Sequence, residues 1–165
     1  MSVNPSGPGW TLEKVRVRAR QAALDKAQPI SLAQPEAVVI AADTVVVVDG
    51  VVLGKPADTD DAEAMLRRLS GRAHHVTTGI VLAYGRRRLT LADDATTMVQ
   101  FRHLQPEEIH RYVATGEPMD KAGAYGIQGR AALFVERLEG DYFAVVGLPL
   151  ARLARMLDAV GVPTI

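Results

Sequence analysis

Val38 to Pro56 reads Val-Val-Ile-Ala-Ala-Asp-Thr-Val-Val-Val-Val-Asp-Gly-Val-Val-Leu-Gly-Lys-Pro and carries the residues best suited to chemistry. Asp43, Thr44 and Lys55 place a carboxylate, a hydroxyl and an ammonium group within one short segment. A carboxylate at the end of a buried strand can hold Mg²⁺ or steer a water while a nearby lysine binds phosphate. An ion pair at the end of a hairpin accounts for the same residues without any reaction, and pattern alone leans to that plainer reading.

The elements that must position these groups are legible. Val38 to Ala42 is too short for a helix and rich in β-branched residues, which predicts a buried strand. Asp49-Gly50 between two valine runs is a strong hairpin signal. Counting outward from that turn sets Val48 opposite Val51, Val46 opposite Leu53, Thr44 opposite Lys55 and Asp43 opposite Pro56. Successive side chains alternate faces, so Asp43 and Lys55 share a side only through a twist or bulge.

A second stretch with chemical potential runs from Gly116 to Gly129. It holds four glycines without regular period, together with Asp120, Lys121 and Gln128. Such a loop can bring backbone amides close to a ligand and cradle phosphate. A series of tight turns explains the glycines equally well, and an ion pair with Asp120 explains Lys121.

The remaining chain alternates helices and strands. Thr11 is placed to cap a helix from Leu12 to about Lys26, with Arg16, Arg18 and Arg20 spread round it. Pro29 to Pro35 reads as a linker. Asp58 to Glu63 suits a helix N-terminus more simply than a metal site, and Ala62, Met65, Leu66 and Leu69 give that helix its buried face before Ser70-Gly71 ends it. His75 to Leu82, Leu89 to Leu91 and Ala95 to Phe101 read as strands, with Arg86-Arg87-Arg88 at a solvated tip. His74 and His75 suit a strand edge better than zinc. A helix opens at Pro106, strands are expected over Ala131 to Glu136 and Phe143 to Val146, and the last helix starts at Pro149. The pattern predicts a single α/β domain with a mixed sheet, preceded by a loose tail over Met1 to Trp10.

Composition narrows the class. The chain has 165 residues, is 48% hydrophobic, has no cysteine and has a formal net charge of zero. That size buries a real core. Disulfides and thiolate metal sites are excluded, and charge balance argues against a nucleic-acid partner. No apolar run approaches the ~20 residues of a membrane span, and no signal peptide is visible, so no membrane association and a cytoplasmic location are expected.

Several motifs in order carry a resemblance. Ala42-Asp43-Thr44-Val45, Gly54-Lys55-Pro56, Leu69-Ser70-Gly71 to Thr78-Gly79, Asp120 to Gly129, and Glu139-Gly140-Asp141-Tyr142 to Val146-Gly147-Leu148-Pro149-Leu150 resemble the Maf family over about Val38 to Val162. The resemblance implies a fold related to the inosine triphosphate pyrophosphatases, with flanking helices and a central cleft. It implies hydrolysis of dTTP or UTP to the monophosphate and pyrophosphate with a divalent metal, Mg²⁺ or Mn²⁺. By matching position, Asp43 is the catalytic base and a metal ligand, and Thr44, Lys55, Lys121 and Gln128 contact the substrate. The family's Ser-x-Ser-Pro-Arg-Arg segment has no match in Ser2 to Gly7. Its helical Leu-Ala-x-x-Lys-Ala pattern, aligned on Arg18 to Ala23, puts Ala22 where the lysine stands, leaving Arg16 or Arg20 as replacement cations. Ala144 takes the place of a frequent asparagine. Absence of the first family strand leaves a sheet edge to be covered or paired in a homodimer. A member that binds nucleotide or a partner protein without turnover is the alternative reading.

Overall fold

The computed structural model describes residues 9–165; Met1–Pro8 lie outside the described residues, and with them most of the expected tail and the Ser2 to Gly7 stretch. Trp10 is tied down, its N–H donating to the Gly50 carbonyl at 2.9 Å. The elements are α1 (Leu12–Ala33), β1 (Val38–Val48), β2 (Val51–Leu53), α2 (Thr59–Leu69), β3 (Ala73–Tyr84), β4 (Leu89–Phe101), α3 (Pro106–Val113), β5 (Val135–Glu139), α4 (Tyr142–Val146) and α5 (Leu150–Ala159). The five strands form one sheet in the order β2-β1-β3-β4-β5.

The α/β class is as expected, and the sheet is antiparallel where the alternation of elements suggested a mixed one. Val46, Val47 and Val48 pair with Leu53, Val52 and Val51 about the Asp49-Gly50 turn, and Met98 to Phe101 pair antiparallel with β5. Thr44 bonds Thr78 while Val39, earlier on β1, packs with Val81 and Ala83, later on β3, so these strands also run in opposite senses. Thr77 bonds Thr96, and a 3-10 turn at Gly85–Arg87 closes that hairpin at the arginine-rich tip.

The hairpin register is as counted from the turn as far as Leu53, where β2 ends. The projected pairs Thr44–Lys55 and Asp43–Pro56 fall beyond the ladder. Asp43 therefore lies in the middle of an 11-residue strand instead of at a strand end.

Two compact units divide the described residues: 9–11, Val45–Val76 and Thr97–Gly140 form the first, and Leu12–Thr44, Thr77–Thr96 and Asp141–Ile165 the second. In the second, α1 covers one sheet face, with Ala23 and Ala27 on Val39, Val81 and Ala83. The other face carries α5, with Met156 and Val160 on Ile80 and Leu82. In the first, His74, Phe101, Tyr125, Phe134 and Tyr112 form an edge-to-face aromatic cluster. His74 is 1% exposed on an interior strand, not at an edge.

Three local readings are corrected by packing and capping. The helix α1 continues through Pro29 to Ala33, so five of the seven residues of the expected linker form its last turn and a half. An interior proline costs roughly 3 kcal/mol; the buried stripe Val15, Ala19, Ala23, Ala27, Ser31 runs past it unbroken and offsets that loss. Phe143 to Val146 is helical because Asp141 accepts from the Phe143 and Ala144 amides, starting α4 where apolar content suggested a strand. Ala131 to Phe134 is a 3-10 turn, and the strand begins only at Val135. The capping role read for Asp58 holds: it is the N-cap of α2 and accepts from the Asp61 amide at 2.8 Å.

Candidate active site

Alternation along β1 decides which groups meet. Val39, Ala41 and Asp43 share the face covered by α1, and Thr44 points to the opposite face. On the α1 side, Lys26 donates from Nζ to Asp43 Oδ1 at 2.6 Å and to the Ala42 carbonyl at 3.1 Å. The Asp43 side chain is 25% exposed and Lys26 55%, so the pair is anchored to the sheet yet open to water. An ammonium group held by one carboxylate oxygen and one carbonyl keeps a third N–H available for an anion.

Lys26 was missed in the sequence, although a signal was present. The family pattern was aligned one helical turn early; Ala23-Leu24-Asp25-Lys26-Ala27 carries its Ala-x-x-Lys-Ala part and places the lysine at 26 rather than Ala22. Ending the helix at Lys26 hid the fit. Arg16 and Arg20 are not replacement cations. Four apart and so on one face of α1, both bind Asp94, whose side chain is 2% exposed.

On the opposite face, Thr44 Oγ1 and Thr78 Oγ1 lie 2.7 Å apart, and Thr78 Oγ1 donates to the Ala144 carbonyl at 2.6 Å. A carbonyl cannot donate, so the Thr78 proton is committed to Ala144 and Thr44 must donate to Thr78. Thr44 thus spends its only proton inside the unit and offers further ligands an acceptor. Gly147 beside it has a φ of +123°, a backbone conformation that favours glycine; a Cβ there would make only ordinary contact, 3.7 Å from Thr44 Oγ1.

Asp43 and Thr44 belong to one unit, and Lys55, Lys121 and Gln128 to the other. Lys55 is exposed directly after β2, and Gln128 is exposed in the glycine-rich loop. Lys121 bonds Asp120 at 2.6 Å. That bond, reinforced by the charges of Lys121 and Lys55, holds the Asp120 carboxyl below its usual range.

The loop's glycines serve its own packing. A Cβ at Gly129 would lie 2.0 Å from Glu117 Oε1, and one at Gly126 would lie 2.7 Å from Lys121 Cε. Glu117 accepts from the Tyr112 hydroxyl at 3.0 Å and the Arg130 amide at 3.2 Å, which fixes the turn from inside. The amides of Gly116, Gly123, Gly126 and Gly129 donate to Val113, Gly54, Tyr112 Oη and Gly126 respectively. A phosphate cradle of glycine amides is therefore not what the loop presents; its side chains are.

Among the described residues no group of three or more His, Cys, Asp or Glu side chains comes together to hold a metal. The residues do not fit an all-protein cage. What this face offers a cation is the one carboxylate of Asp43, whose Oδ1 is bonded to Lys26.

The antiparallel sheet covered by α1, with a solvent-open carboxylate–ammonium pair on β1, its second strand, defines an α/β protein. Residues 6–160 match the family model described as Maf-like protein, and the chain belongs to the Maf family. It is 56% identical over 162 residues to a dTTP/UTP pyrophosphatase of Symbiobacterium thermophilum, covering 98% of this chain and 79% of that one. It is 50% identical to the dTTP/UTP pyrophosphatase of Bacillus pumilus, over 83% of this chain and 71% of that one. A protein of the same name from Dictyoglomus thermophilum is 45% identical, over 97% and 82% of the two chains.

Proposed function

We propose that this protein is a nucleotide pyrophosphatase that hydrolyses dTTP or UTP to the monophosphate and pyrophosphate. The observation that carries the reading is the Lys26–Asp43 pair, fixed on the sheet and open to solvent, in a chain so similar to proteins of that activity. Water adds to the α-phosphorus, the bond to the bridging oxygen breaks, and pyrophosphate leaves. Asp43, with Oδ1 held by Lys26, accepts the water's proton through its other oxygen. Lys55, Lys121 and the remaining Lys26 N–H bind phosphate oxygens, where developing charge needs cations. Gln128 contacts the nucleotide. The Thr44 hydroxyl, turned toward Thr78, holds the strand and accepts hydrogen bonds instead of donating to phosphate.

A divalent metal, Mg²⁺ or Mn²⁺, would be held by Asp43 and the phosphates and would neutralise phosphate charge. No helix among the described residues is long and apolar enough to cross a membrane, and a cytoplasmic location suits the nucleotide substrate. A homodimer is part of the proposal: β2 pairs only with Val46 to Val48, and no strand among the described residues pairs with the same edge of β1 over Val38 to Val45.

The test is pyrophosphate release from dTTP, UTP and 7-methyl-GTP with Mg²⁺ or Mn²⁺. Wild type is expected to turn over dTTP and UTP, and Asp43→Asn to lose at least ~100-fold in kcat, the lower range for a positioned general base. Folded wild type without turnover on any nucleotide would overturn the enzyme reading in favour of binding alone.

A further inference from the structure

We propose that Asp94 is the positioning residue of this site: gripped by Arg16 and Arg20, it fixes the register of α1 on the sheet and so delivers Lys26 to Asp43. Its functional consequence rests on the pyrophosphatase reading; its geometric content does not.

Asp94 is a buried carboxylate, and such a charge needs partners on both oxygens. Arg16 Nε donates to Oδ1 at 2.6 Å and Arg20 Nη1 to Oδ2. The two arginines lie one turn apart on α1, and Ala19 between them meets the sheet backbone to backbone. A Cβ at Gly79 would be 2.3 Å from the Ala19 carbonyl carbon. A second close approach, Gly85 against Pro35 and the Ser31 carbonyl, marks the far end of the helix. Between these contacts lies a stripe of alanines, whose small side chains resist sliding weakly. The close contacts set how near α1 comes to the sheet, and charge pairing at Asp94 adds the directional hold on its axial register.

Lys26 follows Ala19 by seven residues, two turns on and about 20° away round the helix. The helix face that touches Gly79 thus also aims Lys26 at the sheet. A slip of one residue would move Lys26 by about 1.5 Å along the axis and 100° round it, far more than a 2.6 Å contact tolerates.

The neighbouring residue supplies a comparison. Asp93 binds Arg152 of α5 through both oxygens at 2.9 Å and accepts from the Asp94 amide at 2.8 Å, but makes no contact with Arg16 or Arg20 that would set α1. The helix α5 carries none of the proposed site residues.

The experiment compares Asp94→Asn, Asp93→Asn, Lys26→Met and Asp94→Asn/Lys26→Met at a temperature where each is folded. Asp94→Asn is expected to lower kcat at least tenfold, Asp93→Asn less than twofold, and the double variant no further than Lys26→Met alone. Losses that multiply in the double variant, or equal losses at 93 and 94, would overturn the proposal. A second readout needs no activity. Carbodiimide converts the Asp43 carboxylate to an O-acylisourea, which the Lys26 amine displaces to form an amide and release a urea. Mass spectrometry should find that cross-link in wild type and Asp93→Asn and at least fivefold less in Asp94→Asn. Undiminished cross-linking in Asp94→Asn would sink the positioning role whether or not the protein turns over nucleotide.

Discussion

Lys26 and His74 show how differently a titratable side chain can be used in this molecule. Lys26 lies exposed on a helix and reaches one carboxylate; His74 is buried among rings and serves the core. Its Nε2 shares a 2.8 Å hydrogen bond with the Tyr125 hydroxyl, and its Nδ1 has no hydrogen-bond partner among the described residues. Burial, aided by the nearby charge of His75, pushes the imidazole pKa down from 6.5 to about 4. The folded state therefore keeps His74 neutral where the unfolded chain takes up a proton. Stability is complete above pH 6.5 and falls as pH drops toward 4, by about 3 kcal/mol in all. Urea unfolding between pH 4.5 and 7 should show this loss in wild type. It should be largely absent in His74→Phe/Tyr125→Phe, which removes both polar partners together; an unchanged pH slope in that variant would assign the loss to other groups. Glu108, brought to about 2 chiefly by its bond to Arg102, adds a loss of its own as pH falls below about 5, where the unfolded carboxyl starts to protonate, so the difference between wild type and the double variant isolates His74.

At the scale of elements, two glycines test different physics. Gly79 matters for space: α1 approaches so closely that any side chain at 79 meets the Ala19 backbone. Gly116 matters for conformation: its φ is +75° and open space surrounds it. Gly79→Ala is expected to cost about 3 kcal/mol, the upper range for overpacking a rigid contact. Gly116→Ala should cost about 1 kcal/mol, the ordinary penalty of a left-handed alanine. Denaturant midpoints at constant slope measure both. Equal costs would mean that α1 yields and does not rest on Gly79 as a fixed stop. The capping aspartates behave alike: Asp58 was legible from an acidic turn before a periodic stripe. Asp141 was not, because the four apolar residues from Phe143 to Val146 carry no helical period and resemble a strand.

At the scale of the whole molecule, the open edge of β1 is the feature with a consequence in solution. Among the described residues no strand pairs with that edge over Val38 to Val45, and Ile40 is 42% exposed. Sedimentation at micromolar concentration should find a dimer, and Ile40→Lys should shift it toward monomer, because a charge on an edge strand opposes strand pairing. A wild type that sediments as a monomer throughout would remove edge pairing from the account.

The sequence by itself determined the features set by local rules: the Asp49-Gly50 turn with its valine register, the Asp58 cap, the periodic face of α2, and Asp43, Thr44, Lys55, Lys121 and Gln128 as candidates. These depend on period, turn chemistry and motif, which act over a few residues. Tertiary structure alone decided that α1 runs through Pro29, that Arg16 and Arg20 converge on Asp94, that the glycine amides of the loop are spent internally, and that Lys26 meets Asp43. Each depends on residues brought together from distant positions, 17 apart for Lys26 and Asp43 and 78 for Arg16 and Asp94. Burial then outweighs local propensity, because a packed helix face is worth more than the roughly 3 kcal/mol that a single proline can impose.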